Sequence, residues 1–347
     1  WASVKEDQIR NAVQDLRYDL GRQCYGDGKG ILCELLTAAT GTEPVYVCTL
    51  KSTDNGDTLI NDSGWAWNTT KVLRVGMHVA WGHYDVGASP GAGFLTSAGP
   101  VATGYGYISA ITDASPYNGF SVTAYADSSG TKPVAGMVIV RGDGIANADN
   151  SFDNEVMGIT GMISSSADDT LANTFQGVSL TTYPEWKAQV LGNSGTKRPL
   201  DEVLFQQALN RISDRTNGNT EFTVAHTSVR DSFLFHIKSL GRERYAPQKL
   251  LAGWSVLEYN GGSKPVRVYA DRQARHGRLW GIDKSSMKCF VVKAFAWDES
   301  NGAVWKWEKG KDALIAFAKI YKNFGVVDRK RNFVIEDIAV DEGSLYE

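Results

Sequence analysis

The sequence predicts an α+β protein carrying a β-barrel-like insertion, and three observations carry that prediction. A long, heavily charged amphipathic helix pattern opens the chain. A block of short strand patterns follows, separated by connections rich in Gly, Ser, Asp and Asn. From there to the end, helical patterns alternate with strands.

The opening helix is expected to begin at a capping box, Ser3 with Glu6, where a hydroxyl and a carboxylate satisfy free N–H groups of the first turn. Ile9, Val13, Leu16 and Leu20 recur at helical spacing and should form its buried stripe. The other face carries Lys5, Glu6, Asp7, Arg10, Asp15, Arg17, Asp19 and Arg22, both signs of charge together. Gly26 ends the helix, and Gly26-Asp27-Gly28-Lys29-Gly30 makes a tight turn.

Between Pro44 and Val156 the runs Val45–Leu50, Val72–Val75, Met77–Trp81, Tyr105–Ile111, Phe120–Ala126 and Met137–Val140 read as strands. Phe120, Val122 and Ala124 alternate with Ser121, Thr123 and Tyr125, the period of a half-buried strand. Asn118-Gly119 just before them is a hairpin signal. Residues 157–197 look irregular, with Tyr183, Pro184 and Trp186 as packing anchors.

Pro199 is expected to open a second helix with Leu200, Leu204, Ala208 and Ile212 on its apolar stripe, ended by Asn217-Gly218. A strand at Phe222–Ala225 leads to a third helix capped by Thr227, with Val229, Phe233, Ile237 and Leu240 on one face. Strands follow at Trp254–Tyr259, Val266–Tyr269, Arg278–Ile282, Lys288–Val292 and Asn332–Val340. For Leu314–Phe324 periodicity leaves helix and strand both open.

The totals exclude several function classes. With 347 residues, 42% apolar and 22% charged, the chain is built to bury a core and is not disordered. A net charge of −3 argues against a surface that grips nucleic acid throughout. Apolar runs such as Ala313–Ala318 are too short to span a bilayer. Cys24, Cys33, Cys48 and Cys289 have no CxxC spacing, so reduced and mostly buried thiols are expected, with no zinc ribbon. No secretory leader opens the chain, which begins at Trp1, so a front segment is expected to have been removed or omitted.

The search for catalysis is thin. His78, His83, His226, His236 and His276 show no metal-ligand spacing, and packing or surface roles are expected of them. The Gly26–Gly30 loop lacks the GxxxxGK pattern and follows a helix C-terminus, the wrong dipole end for phosphate. No GxSxG elbow is present. Asp143, Asp149, Asp153 and Glu155 leave room for a carboxylate pair, and 10 Trp leave room for a sugar-binding cleft. Trp297, Trp305 and Trp307 are nevertheless expected to pack in a core or interface.

Against that background, the ordered motifs matter. The helix closing on Leu20-Gly21-Arg22-Gln23-Cys24-Tyr25-Gly26-Asp27-Gly28-Lys29-Gly30 resembles the spine helix and following turn of the major capsid proteins of tailed double-stranded DNA bacteriophages. Arg198-Pro199-Leu200 with Gln206-Gln207-Ala208-Leu209, then Phe222–Phe235, resemble the start of that family's axial domain. Gly262–Asp271, with Pro265-Val266 and Ala270-Asp271, is similar to a strand of the same domain. Gly310-Lys311-Asp312-Ala313, Asn323-Phe324-Gly325 and Arg331-Asn332 through Ile335-Glu336-Asp337-Ile338 resemble its closing peripheral strands.

The resemblance implies the Hong Kong 97 phage-type capsid fold. Residues 1–43 would form the spine helix and turn of a peripheral domain, 44–156 a β-rich insertion, 157–198 a connection, 199–282 the axial domain, and 283–347 the closing peripheral strands. It further implies a structural subunit without catalysis, cofactor or metal. Hexameric and pentameric capsomers would tile an icosahedral virion capsid, assembled in the host cytoplasm and holding double-stranded DNA by containment. Portal, scaffolding protein or maturation protease, and decoration protein would be its partners. The family's N-terminal arm and extended hairpin loop are expected to have been cleaved or omitted. Lys5, Arg10, Asp15, Arg17, Arg22, Arg242, Arg244, Arg329 and Arg331 are the expected inter-subunit contacts. The alternatives are an encapsulin-like compartment shell and, from another class, a carbohydrate-binding or carbohydrate-active protein using the β insertion.

Overall fold

The computed structural model describes residues 2–28, 30–50, 72–83, 104–112, 119–125, 132–142, 155–163, 174–216, 218–239, 248–249, 255–259, 265–299, 304–307, 310 and 314–340. Helix α1 spans Ala2–Cys24. It already contains Ser3, so it starts ahead of the expected cap. Backbone bonds Tyr25 N–H to Arg22 O (3.0 Å) and Gly26 N–H to Gln23 O (3.0 Å) close its last turn. The chain then reverses through Gly28 at φ +86°, a left-handed conformation that glycine adopts at low cost.

Six strands form the first sheet: β1 (Ile31–Glu34), β2 (Val45–Thr49), β3 (His78–His83), β4 (Gly104–Ile111), β5 (Gly119–Ala124) and β6 (Met137–Arg141). Their order is β1-β6-β3-β4-β5-β2, and every neighbouring pair is antiparallel. Bridges Leu35–Leu50 and Thr40–Val47 join the chain after β1 to β2 and its end, so the sheet closes on itself. Closure removes the free edges that would otherwise recruit other strands.

The interior of this barrel is filled by Leu32, Tyr46, Cys48, Trp81, Ile108, Phe120 and Val122. The alternation expected of Phe120, Val122 and Ala124 holds, since all three are buried while Ser121 and Thr123 are half-buried. The bond from Thr112 N–H to Gly119 O (2.9 Å) joins the ends of the β4–β5 hairpin, and Asn118 lies outside the described residues. Two expectations fail here. Residues 72–75 form no strand, and β1, paired with β6, lies ahead of the expected boundary at 44. With three successive buried residues, Ile31, Leu32 and Cys33, β1 shows no alternation to read.

The second sheet has seven strands in the order β11-β12-β13-β10-β14-β19-β9. These are β9 (Gln189–Leu191), β10 (Phe222–Ala225), β11 (Gln248–Lys249), β12 (Ser255–Tyr259), β13 (Val266–Ala270), β14 (Leu279–Ile282) and β19 (Phe333–Ile335). β10 pairs parallel with β13 and β19 parallel with β9; the other neighbours are antiparallel. Helices α3 (Glu202–Thr216) and α4 (Thr227–Ser239) pack on one face.

Side chains alternate between the two faces, as strand geometry demands. Ala225, Leu279, Phe333 and Ile335 join Leu204, Phe205, Ala208, Phe233 and Ile237 under the helices. Val224, Trp280, Ile282 and Val334 point the other way, into a cluster with Tyr25, Met162 and Phe175. Thus β9, expected in an irregular connection, and β19, expected in a closing segment, are both strands of one sheet with β10–β14. The divisions expected at 199 and 283 cut across it.

Both helix starts differ from expectation. α3 begins at Glu202, and its cap is Asp201, whose Oδ1 accepts from Leu204 N–H at 2.6 Å. α4 includes Thr227, and His226 caps it, its Nδ1 facing Ser228 N–H at 3.2 Å. Of the expected stripes, Leu200, Leu204, Ala208, Ile212, Val229, Phe233 and Ile237 are all buried, and Leu240 lies outside the described residues.

Short elements complete the chain: α2 (Ile159–Met162), the hairpin β7 (Thr174–Phe175) with β8 (Val178–Ser179), and 3-10 turns at Pro184–Trp186 and Arg329–Arg331. Between β14 and β19 run β15 (Met287–Trp297), β16 (Lys306–Trp307), β17 (Leu314–Ile315) and β18 (Ala318–Val326). Leu314–Phe324, which periodicity left open, is therefore strand.

Candidate assembly surface

The second half of α1 joins the two β structures. Arg22 is buried against Asp19 and Glu155. Asp19 also takes Arg141 at the end of β6, and Asp15 takes Arg74 from the barrel side. On the opposite flank Tyr25 Oη donates to Asp271 at 2.8 Å, and Arg272 lies 4.7 Å over the Tyr18 ring. Thr160 Oγ1 donates to Tyr25 O at 2.6 Å, and a Cβ on Gly158 would collide with the carbonyl oxygens of Gln23, Cys24 and Gly26. The helix end is thus fixed by barrel, α2 and sheet together.

Its stripe tells a different story. Ile9, Val13, Leu16 and Leu20 are only half-buried, while Asp7, Arg10, Asp15, Arg17 and Tyr18 are exposed. The apolar face expected to be covered is incompletely covered by the described residues.

A larger uncovered surface lies on β15 and β18. These strands pair antiparallel from Met287–Val326 at the root to Trp297–Ala318 at the far end, as a two-stranded ribbon. Register shifts between Val291 and Lys293, and between Lys293 and Ala296, mark two bulges that increase its twist. Only the root enters the core, through Val326 with Met287 and Phe324 packed near it. Beyond it Phe290 is 59% exposed, Val291 56%, Val292 89% and Tyr321 52%, so both faces of the ribbon are open. Phe317 and Trp307 extend the apolar surface.

Lys288, Lys293, Lys319 and Lys322 are the charged residues within the two strands. Past the end of β15, Asp298 accepts from Lys306 at 3.1 Å and Lys319 at 3.2 Å. Those two ammonium groups hold the Asp298 carboxyl down at about 2.

The sequence-expected contact residues divide. Arg10 and Arg17 are exposed on α1. Asp15 is exposed but paired with Arg74. Arg331 bonds Asp328 at 2.9 Å and approaches Asp283 at 3.7 Å. Arg242 and Arg244 lie outside the described residues, as does the side chain of Lys5.

Two of the nine are corrected. Arg22 is 6% exposed and Arg329 fully buried, so neither is available to another subunit. Arg329 Nε donates to Met162 O at 2.6 Å, with its guanidinium 4.6 Å above the Phe175 ring. A basic run in sequence gives no sign that its first member faces inward. Sequence reasoning also missed the ribbon as a surface; its signal is the run Phe290–Val292, apolar at three successive positions.

Among the described residues no group of His, Cys, Asp and Glu is placed to hold a metal ion. His78 lies on β3 and meets the Tyr125 hydroxyl, and His226 packs against His276 with ring centroids 3.7 Å apart and the rings tilted by 31°. No described helix is long and apolar enough to cross a membrane.

No family model matches the sequence, and no curated protein matches it. Among solved structures the chain is similar to a subunit of the cyanophage A-1(L) capsid asymmetric unit. That match has a TM-score of 0.41 and 13% identity, over 54% of this chain and 61% of the other. It is also similar to the holo-SrpI encapsulin complex from Synechococcus elongatus, with a TM-score of 0.34 and 13% identity over 54% and 62%. The chain spans about three fifths of the length of these two structures.

Proposed function

We propose that this chain is a structural subunit that self-assembles into a closed shell. In its fuller form the proposal is an icosahedral phage capsid of hexamers and pentamers around double-stranded DNA. The observation that carries it is the β15–β18 ribbon. A two-stranded ribbon is marginal alone in water. This one also exposes Phe290, Val291, Val292 and Tyr321 on faces that the described residues leave open. Covering an aromatic or branched side chain of this kind stabilises by roughly 1.5–3 kcal/mol before association costs. Several such residues per copy make contact with further copies the natural cover.

The half-covered α1 stripe and the exposed Arg10 and Arg17 support the same reading, since a shell requires more than one contact patch per subunit. The charged face of α1 is assigned to an adjacent subunit. The barrel is assigned to the shell's outer surface, or to contacts between capsomers. Its interior is packed with side chains, Trp81 among them, which supports a structural part over a sugar-binding cleft. Portal, scaffolding protein or protease, and decoration protein remain the partners this reading supplies, with the virion as its location and the host cytoplasm as its place of assembly.

Electron microscopy and sedimentation of the purified chain test the proposal. Closed particles are the expected result, and a protein that stays monomeric at all concentrations overturns it. Particles filled with nucleic acid fit the capsid form, whereas particles filled with a protein cargo replace it by a compartment shell. Phe290→Ser with Val292→Ser should abolish particles while leaving a folded monomer. Arg10→Glu with Arg17→Glu should impair assembly in the same way, and normal particles from that variant remove α1 from the interface.

A further inference from the structure

A cleft separate from the ribbon lies where the 3-10 turn Pro184–Trp186 and strand β9 meet α3 and the turn Arg329–Arg331. Its volume is about 520 Å³, within the size range of small-ligand sites. Four cationic side chains line it, Lys187, Arg211, Arg215 and Lys330, against one carboxylate, Glu185.

The two arginines stand one helical turn apart on α3 and so share a face. Each is braced by the same strand. Arg211 Nη1 donates to Val190 O at 3.3 Å, and Arg215 Nη1 donates to Gln189 Oε1 at 3.1 Å. A guanidinium carries five N–H donors, so each keeps most of its capacity beyond these bonds. Among the described residues no carboxylate forms an ion pair with either arginine, Glu185 and Asp214 included. Partial burial and the neighbouring Arg215 charge both make it harder for Arg211 to stay protonated. Two guanidinium groups side by side on one wall, neither ion-paired to a carboxylate among the described residues, mark a place that an anion would relieve.

We infer that this cleft is a binding site for a phosphate-bearing ligand, held by Arg211, Arg215, Lys187 and Lys330. Paired guanidinium forks match phosphate oxygens in geometry. Four cations around one pocket favour a multiply charged group over a single carboxylate. The chemistry is common to a free oligophosphate and to the phosphodiester backbone of a nucleic acid.

The test uses the full chain in low-salt buffer with inorganic tripolyphosphate, read by titration calorimetry. Saturable binding is expected, weakened about tenfold or more in Arg211→Gln with Arg215→Gln. Lys330→Gln, outside α3, should weaken it as well while the melting transition stays put. A duplex oligonucleotide forms the second arm. If it binds with the same dependence on these residues, the ligand is a phosphodiester backbone; if only tripolyphosphate binds, it is a free oligophosphate. Failure of both to bind, binding unchanged in the variants, or citrate binding as tightly as tripolyphosphate overturns the inference. None of these outcomes depends on particle formation, so this site and the shell proposal fail separately.

Discussion

Gly281 lies directly opposite Phe333 in the antiparallel β14–β19 pair, and the Phe333 ring occupies the space where a Cβ on Gly281 would stand. Phe333 is fully buried beneath α3 and α4, so it has no open direction in which to retreat. Gly281→Ala is expected to cost about 1–3 kcal/mol through overpacking. Chemical denaturation measures it. Phe333→Leu placed in the same chain should recover part of the loss, and a purely additive double mutant would show that the two positions do not press on each other.

That pair also shows what the sequence could and could not display. Strands at 222–225, 266–270 and 279–282 were legible as short runs rich in branched and aromatic residues, and α3 and α4 because their apolar residues recur at helical spacing. A lone Gly in Leu279–Ile282 looks like a weakness until its cross-strand partner is known. Leu314–Phe324 stayed open because the ribbon lacks a single buried face, so its apolar residues follow neither period. Arg329 stayed hidden because its partners, Met162 O and the Phe175 ring, come from more than 150 positions away. The cleft beside α3 was out of reach for the same reason, since it draws on the 3-10 turns, β9 and the helix.

The buried pairing of Arg22 with Glu155 yields a second prediction, with a sign in pH. Burial lifts the Glu155 carboxyl above its ordinary range, against the pull of Arg22. Arg22→Met removes that pull and leaves the carboxyl buried beside Asp19. The cost should be about 3–5 kcal/mol at neutral pH. A carboxyl whose folded pKa is raised contributes fully below its unfolded pKa and loses that contribution as pH rises through the folded value. The deficit of Arg22→Met against the wild-type chain should therefore grow as pH rises above the ordinary carboxylate range. A deficit independent of pH would mean that Glu155 is not the group left exposed to the loss.

Asp298 gives the opposite case. Hydrogen bonds from Lys306 and Lys319 hold its carboxyl at about 2, below the unfolded value of roughly 4. A depressed carboxyl contributes above the unfolded pKa, and the contribution disappears as pH falls through the folded one. The contacts that tie Lys306 and Lys319 to the far end of the ribbon should persist at pH 4 and be lost near pH 2. Carboxyl carbon shifts from NMR would locate the midpoint, which Lys319→Met should move upward. An Asp298 midpoint near 4 in the wild-type chain would remove the lysines as its partners.

Cys289 reports on the ribbon directly. It is an exposed thiol on β15, paired across the ribbon with Phe324. Cys33 and Cys48 are buried in the barrel, where burial pushes the Cys48 thiol up to about 12 and Cys33 upward as well. The thiolate is the reactive form, so neither should react with a maleimide at neutral pH until the barrel opens. Cys289 should therefore label first in the unassembled chain. If the ribbon is covered by another copy on assembly, particles should label at Cys289 at least about tenfold more slowly than free subunits, because the local opening needed for access then costs more than 1.4 kcal/mol. Mass spectrometry of labelled peptides separates the sites. Equal rates at Cys289 in particles and free subunits would place the ribbon on an open surface of the shell and leave α1 as the contact to test next.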